Sequence, residues 1–228
     1  MPSRKKSSMF GSSFCACVSS LVLVCVVLAS PAWVSSQLRF SGAVSNISVS
    51  LSYGLFSGTC EQSVEAGLQL GQNTFQVTDA LDSASSRNLN IATMVLLVLA
   101  LLCSLLSSAF TCTNAVSNPY QTFLGPLGVY TWNSVCGVLI LLAMILFPVN
   151  VQGNGLSEHL ARGGCSSPLQ TLLGSKHSYG YSYWIMLLIL FLNIASLTII
   201  YFYDHATYSK KKEQERPIEN APKDVILF

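Results

Sequence analysis

The residues of this sequence that could do chemistry are its cysteines, its histidines and one glycosylation triplet. Of the eight cysteines, only Cys60 and Cys165 lie in polar stretches, and the others fall within or at the ends of apolar segments. A zinc site needs three or four ligands, and no spacing of Cys and His in the chain offers such a set. We therefore interpret His159 and His177 as solvated loop residues and expect no metal and no other cofactor.

Two covalent modifications are predicted outside the apolar segments. Cys60 and Cys165 could form one disulfide if their loops share an oxidising compartment; unpaired thiols are the alternative, because sequence does not show how close the two Cα atoms come. Asn46 begins the one Asn-x-Ser/Thr triplet in the chain, Asn46-Ile47-Ser48, and is the predicted glycosylation site.

Two further predictions concern the inner side of a membrane. Cys15, Cys17 and Cys112 lie near predicted inner boundaries of apolar segments and could be palmitoylated; the alternative is that they are buried thiols acting as small apolar groups. Ile226 and Phe228, with the free carboxylate, fit a terminus that adds as a strand to a PDZ domain. An apolar tail used in export or lying on the membrane is the alternative there.

Other classes of function find no support in the residues. The serines have no local His/Asp arrangement and no glycine-rich phosphate loop occurs, so we do not expect an enzyme. The net charge is +2 and no basic run is interleaved with aromatic residues, which argues against a nucleic-acid partner. No small-molecule substrate is evident either.

The elements that must position these residues are apolar segments long enough to cross a bilayer. Apolar residues make up 51% of the chain and charged ones 10%. From Asn88 to Ser157 there is no Asp, Glu, Lys or Arg, and the flanks of this stretch, Ile91–Cys112 and Val129–Val149, each have about the ~20 residues that a transmembrane helix needs. Met9–Val34 and Tyr181–Tyr203 have the same character. The lipid bilayer is thus the first predicted partner.

The first apolar segment has two interpretations. The basic residues of 4–6 and the small residues Ser30-Pro31-Ala32 on either side of it also describe a cleaved secretory signal peptide. Because the segment is longer than the usual apolar region of such a peptide, a retained first span is the favoured interpretation.

The distribution of basic residues predicts the orientation. Lys and Arg favour the cytoplasmic side of a span, and the two ends of the chain hold most of them. These are Arg4, Lys5, Lys6, Lys210, Lys211, Lys212, Arg216 and Lys223. Both termini are therefore predicted to be cytoplasmic, in a plasma-membrane protein. The segments are a cytoplasmic N-terminus at 1–8, spans at 9–30, 91–113, 127–149 and 181–203, extracellular loops at 31–90 and 150–180, a cytoplasmic turn at 114–126 and a cytoplasmic tail at 204–228.

The first loop carries strand patterns. Ile47–Tyr53 alternates apolar and small polar residues with period two, Phe75 and Val77 suggest a second strand, and Leu38 and Phe40 suggest a third. The predicted fold class is an all-α membrane protein: a four-transmembrane-helix bundle with a small extracellular β-sheet formed mainly by the first outer loop.

Polar and small residues within the spans suggest how the helices meet. Asn133 and Asn193 carry amides that must find partners in hydrocarbon, either across helices or, alternatively, lining the pore of an ion channel or auxiliary channel subunit. Trp33 is expected to be an interfacial anchor. Small residues at four-residue spacing predict close-packing ridges on two spans. The ridges are Ser8, Ser12, Ala16 and Ser20, and Ala100, Ser104, Ser108 and Cys112.

Four longer stretches carry a family resemblance. They are Tyr53-Gly54-Leu55-Phe56, Asn118-Pro119-Tyr120-Gln121-Thr122-Phe123-Leu124-Gly125-Pro126, Val129-Tyr130-Thr131-Trp132-Asn133 and Ser178-Tyr179-Gly180-Tyr181-Ser182. In their order these stretches resemble the clarins, a family of small vertebrate four-span membrane proteins, and the resemblance covers essentially the whole chain.

The resemblance implies a non-enzymatic membrane organiser. The better-known members of the family serve hair cells and photoreceptors and are linked to membrane–cytoskeleton organisation. The expected partners are therefore other membrane proteins and cytoplasmic scaffold proteins. Clarins in turn look like distant relatives of the claudins, which Trp33 and Gly54-Leu55-Phe56 echo here. Cys60 has no second cysteine in its own loop, so the resemblance does not extend to the claudin disulfide.

Overall fold

The fold combines four long helices with one small sheet. The computed structural model describes residues 4–41, 45–64, 68–116, 125–165 and 169–214. In chain order its elements are α1 (Arg4–Ala29), β1 (Val34–Phe40), β2 (Ile47–Tyr53), β3 (Ser57–Val64), β4 (Gln69–Gln76), α2 (Val77–Ala80), α3 (Ala84–Val116), α4 (Pro126–Pro148) continued by a π-helical turn (Val149–Gly153), α5 (Leu156–Gly164), β5 (Leu172–Tyr179) and α6 (Tyr181–Gln214).

Within the described residues, four helical segments are long and apolar enough to cross a membrane, and each contains or overlaps one predicted span. They are Ser7–Ala29, Ala84–Val116, Pro126–Gly153 and Tyr181–Ala206. The helices run further than the apolar pattern suggested, because a helix does not stop where the bilayer does. As a result Arg87 lies in the first turns of α3, and Asp204 and His205 lie in the last turn of the fourth segment. None of these three residues is near the middle of a span.

The surface of these helices is apolar where a soluble protein would be charged. Large aliphatic and aromatic side chains are exposed along all four of them, a pattern that marks a surface covered by something other than water. Examples are Val22, Val26, Val95, Leu99, Leu102, Leu105, Val138, Leu141, Ile145, Leu188, Phe191 and Ile194. Lipid is the environment that fits a band of this kind, so the chain is a multi-pass membrane protein.

The four helices form a bundle in which α1 and α4 each pack against both α3 and α6. The inward face of α1 follows the three- and four-residue steps of a helix. It consists of Phe10, Ser13, Cys17, Ser20, Val24 and Val27. The ridge predicted on this helix is therefore wrong at Ser8 and Ser12, which are both exposed. The Ser12 hydroxyl is bonded to its own helix at the Met9 carbonyl. On α3 the predicted ridge does face inward at Ala100, Ser104 and Ser108, whereas its fourth member, Cys112, is exposed.

The sheet is antiparallel, with strand order β4-β3-β2-β1-β5. Four of its strands come from the first loop, which confirms the predicted fold class, and β5 comes from the second. Alternate residues of β1 and β2 are buried and face a core that includes Leu156 and Leu160 of α5. The strand predicted at 47–53 is confirmed, whereas Val77 is not in a strand, because it begins α2.

Residues 30–33, which we call the junction segment, connect the bundle to the sheet. The Trp33 amide donates to the Tyr53 carbonyl at 3.1 Å, and the Gly180 amide, at the start of α6, donates to the Trp33 carbonyl at 2.8 Å. The Ser182 hydroxyl donates to the Ser30 hydroxyl at 2.6 Å. These bonds join the end of α1 to β2 and to α6.

Trp33 does not have the position that its type suggested. Its side chain is fully buried rather than lying at the lipid boundary, and its indole N–H donates to the Val27 carbonyl at 2.9 Å. Its ring packs edge-on against Phe147 of α4, with 4.7 Å between ring centroids. An aromatic ring with a bonded N–H can fill the core between bundle and sheet, so the interfacial-anchor prediction is wrong.

A glycine substitution tests the junction segment. A Cβ on Gly54 would lie 2.8 Å from Cα of Pro31 and would also meet the Ser30 carbonyl. We expect Gly54→Ala to lower the free energy of unfolding in detergent by about 1–3 kcal/mol, because overpacking forces the backbone apart. Gly137→Ala is the matched control: its Cβ would meet nothing within 4 Å, so stability should hold or rise by at most about 1 kcal/mol. Equal stability of the two variants would contradict this account.

Candidate functional site

A polar cluster inside the bundle centres on Asn193 of α6. Its carbonyl oxygen accepts from the Ser20 hydroxyl of α1 at 3.3 Å, and its amide lies 3.6 Å from the Cys136 sulfur of α4. Asn133 of α4 donates to the Asn193 backbone carbonyl at 3.2 Å, and the Cys136 thiol faces the Ala100 carbonyl of α3 at 3.5 Å. This bundle cluster therefore connects all four helices.

A second layer of small polar groups lies closer to the start of α1. The hydroxyls of Ser13 and Ser196 are 2.6 Å apart. The Cys17 sulfur lies 3.3 Å from the Ser196 hydroxyl and 3.6 Å from that of Ser107. Cys17 is only 2% exposed, so its thiol is out of reach of an acyl donor. Palmitoylation of Cys17 is therefore contradicted, and the alternative of a buried thiol describes this position.

The geometry of the bundle cluster bears on the channel alternative. The two residues that a pore would need, Asn133 and Asn193, are 1% and 3% exposed. Their amides are bonded across helices, as expected for polar groups that hold a bundle together. Neither side chain is left to line an open path through this copy of the chain.

A second polar cluster lies beneath the sheet and is built from four elements. The Tyr53 hydroxyl of β2 is 2.7 Å from the Ser157 hydroxyl of α5, which is 2.9 Å from the Ser36 hydroxyl of β1. His177 of β5 brings Nδ1 to 2.9 Å from the Ser36 hydroxyl and 3.3 Å from that of Ser157. We call these four residues the sheet cluster.

The sheet cluster places a serine beside a histidine, as a nucleophile and its base would be. Ser36 and Ser157 are nevertheless completely buried, so no substrate reaches their oxygens in this conformation. Burial lowers the pKa of His177 and raises that of Tyr53, which keeps both groups neutral at pH 7. The interpretation of His177 as a solvated loop residue is therefore wrong: its side chain is partly buried and bonded.

Little in the sequence pattern predicts the sheet cluster. Its members are separated by 121, 104 and 141 positions for the pairs Ser36–Ser157, Tyr53–Ser157 and Ser36–His177. The one available signal was the period-two pattern that turns Tyr53 inward, because that pattern implies a hydroxyl needing a partner in the core.

The two cysteines of the polar loops meet in the structure. Cys60 of β3 and Cys165, just after α5, are joined by a disulfide with 5.8 Å between Cα atoms. Cys60 is buried at 1% exposure. The bond connects the first loop to the second across the core between the sheet and α5.

The remaining predicted sites lie apart from both clusters. Asn46 immediately precedes β2, at the end of that strand away from the junction segment. Cys15 and Cys112 are exposed on α1 and α3. Ile226 and Phe228 lie outside the described residues. Among the residues that the structure does describe, no group of three or more His, Cys, Asp or Glu side chains could hold a metal ion.

A double-mutant cycle measures the contribution of the bundle cluster. We expect Ser20→Ala and Asn193→Leu to couple by about 0.6 kcal/mol, and by no more than about 1.7, the range found for hydrogen bonds between membrane helices. The measurement is unfolding in mixed micelles of the two single variants and the double variant.

The control pair for this cycle replaces Asn193→Leu by Thr198→Val. The Thr198 hydroxyl is exposed and donates to its own helix at the Ile194 carbonyl, so Ser20→Ala and Thr198→Val should be additive. If the Ser20–Asn193 pair were equally additive, the hydrogen bond would contribute nothing measurable.

Comparison with known proteins agrees with the architecture described above. A family model described as Clarin-2-like matches residues 5–200. Clarin-3 of Mus musculus and Clarin-3 of Homo sapiens are each 45% identical over 228 residues, which is the full length of both chains in each comparison. Clarin-2 of Homo sapiens is 27% identical over 210 residues, which cover 88% of this chain and 89% of that protein. The chain thus belongs to the clarin family.

Proposed function

We propose that the chain is a non-enzymatic organiser of membrane assemblies. In this role the bundle is a scaffold that presents the sheet on one side of the membrane and the end of α6 with the C-terminal tail on the other. Family membership supports the non-enzymatic part. The sensory-cell setting and the link to the cytoskeleton, which the resemblance implied, belong to the same proposal.

The observation that carries the proposal is the hydrogen bonding of the bundle cluster. A transporter or channel keeps polar groups free to meet its cargo. Here the buried amides of Asn133 and Asn193 are bonded to neighbouring helices. The polar surface that remains available is the outward face of the sheet, which includes Ser35, Gln37, Arg39 and Glu61.

The proposed orientation places the sheet outside the cell and both termini in the cytoplasm of a plasma-membrane protein. The excess of Lys and Arg at the two ends of the chain supports it. The Cys60–Cys165 disulfide fits the same orientation, because disulfides persist in oxidising compartments. Asn46, at the start of β2, would then carry a glycan.

Glycosylation reports on this orientation. We expect the wild-type protein from mammalian cells to lose mass on treatment with an amide-cleaving glycosidase, and Asn46→Gln to show the smaller mass without treatment. Ser48→Ala, which removes the acceptor motif but keeps Asn46, should behave like Asn46→Gln. A glycosidase-sensitive shift that persisted in both variants would contradict the assignment, and proteolysis of the C-terminal tail in intact cells would reverse the orientation.

On the cytoplasmic side the proposed contacts are a scaffold protein and the inner leaflet. Ile226 and Phe228 with the free carboxylate would add as a strand to a PDZ domain. Cys15 and Cys112, both exposed to the surroundings of the bundle, would be available for palmitoylation. Basic residues around 210–212 would attract anionic lipids, each by about 1 kcal/mol near the surface.

Proximity labelling tests the organising role. The labelling enzyme is fused to the N-terminus, so that the carboxylate of Phe228 stays free. We expect cytoplasmic scaffold and cytoskeletal proteins to be labelled more strongly by this fusion than by the same enzyme fused to a four-span protein of another family. A two-residue Gly-Ser extension after Phe228 should remove PDZ proteins from that set, because the binding groove requires a terminal carboxylate.

The results can contradict the role of the tail and the organising role independently of each other. Equal labelling of PDZ proteins by the extended chain would contradict the role of the tail alone. Labelling no different from that by the unrelated four-span protein would contradict the organising role itself.

A further inference from the structure

We propose that the sheet cluster is a pH-sensitive latch. With His177 neutral, the cluster holds β5 and α5 to β1 and β2, and when His177 takes up a proton, β5 is released from the sheet. The inference concerns the fold on one side of the bundle and is independent of the proposed role and orientation.

The hydrogen bonds of the cluster can satisfy every hydroxyl within it, provided that Nδ1 of His177 accepts from Ser36 or Ser157. If Nδ1 of His177 carries no hydrogen, Tyr53 donates to Ser157, Ser157 donates to Ser36, and Ser36 donates to Nδ1, along contacts of 2.7, 2.9 and 2.9 Å. A neutral imidazole with its hydrogen on Nε2 supplies this acceptor. Three hydroxyl hydrogens then have three acceptors.

Protonation of His177 breaks this arrangement. Nδ1 becomes a donor and no longer accepts, so the three hydroxyl hydrogens are left with two oxygen–oxygen contacts, Tyr53–Ser157 and Ser157–Ser36. In every orientation of the three hydroxyl groups, one hydrogen has no acceptor within the cluster. Tyr53, Ser36 and Ser157 are all completely buried, so water does not reach them, and a buried donor without a partner costs free energy.

The charged groups around the cluster do not offset this cost. On the same face of the sheet the other titratable group is Tyr179 of β5. Lys176 of β5 and Arg39 of β1 are exposed on the opposite face. On α5, Glu158 is paired with Arg162 at 2.8 Å.

Two further titratable groups lie on α5 itself and on α2, which packs against α5. His159 is half-buried on α5, two residues after Ser157, and Asp79 of α2 is exposed. Burial of the imidazole disfavours its charged form and lowers the pKa of His177.

The direction of the pH dependence follows from this shift. The pKa of His177 in the folded chain is below the ordinary value of 6.5. His177 therefore binds a proton more readily when β5 is detached than when β5 is paired in the sheet. The stabilisation by the latch is therefore complete above about pH 6.5 and is lost as the pH falls from there towards the folded pKa.

Release would be confined to β5 because the chain on either side of this strand is held by other bonds. β5 is an edge strand whose backbone pairs with β1 alone. On one side Cys165 is held to Cys60 by the disulfide. On the other side the Gly180 amide is bonded to the Trp33 carbonyl at 2.8 Å.

Hydrogen–deuterium exchange of the full chain in lipid nanodiscs, at pH 7.4 and pH 5.5, tests the latch. Rates for peptides covering β5 are corrected for the intrinsic effect of pH. We expect exchange in β5 to be faster at pH 5.5 by up to about tenfold, the largest effect that one group with an unfolded pKa near 6.5 can have at that pH. Peptides from the middle of α3 should not change.

Two histidine variants decide the assignment. His177→Asn keeps an acceptor near the position of Nδ1 but does not titrate, so its β5 should exchange at the same corrected rate at both pH values. His159→Asn, the matched control, should keep the wild-type dependence. A wild-type protein with equal protection at both pH values overturns the proposal, and so does an acid effect that persists in His177→Asn or disappears in His159→Asn. If His177→Asn does not fold, the wild-type and His159→Asn results are sufficient to decide.

Discussion

A hydroxyl or an amide inside hydrocarbon has no water to bond with, and the interior of this bundle is arranged around that constraint. Its helices carry serine, asparagine and cysteine at inward positions, and the single residue Asn193 of α6 bonds to both α1 and α4. Helices in lipid gain no hydrophobic free energy by meeting each other. Close packing at small residues and a few hydrogen bonds between helices therefore determine which faces meet.

A different constraint, the need for a sufficient core, explains how the loops are built. A two-stranded hairpin has too little core to be stable alone. Both loops therefore contribute strands to one sheet, which α5 covers on its buried face, and the disulfide of Cys60 and Cys165 crosses the same core. The junction segment brings this unit onto the ends of α1 and α6. The result is one continuous core from the bundle into the sheet, with Trp33 at the boundary.

The sequence predicted those parts of the structure in which apolar residues recur with a regular period or form a long uncharged segment. Four spans, the strand at 47–53 and the need of Asn133 for a partner follow from apolar length, period-two alternation and the cost of a lone amide in lipid. β5 was missed because Leu172–Tyr179 pairs at an edge and is mostly exposed, so its residues do not alternate. The sheet cluster was missed because it depends on which strands become neighbours, and Trp33 was misassigned because an aromatic ring suits an interface and a core equally well.

The connection between β5 and α6 consists of a single residue, Gly180, whose neighbours on either side are already in regular structure. Both elements are stiff under tension, since their backbones are held by hydrogen bonds in the sheet and along the helix. At 1.5 Å per residue, a helix of the length of α6 is roughly 50 Å long. A force applied to this edge of the sheet would thus be transmitted from β5 through Gly180 and along α6 to the opposite face of the membrane. No flexible loop lies between the two elements to absorb it.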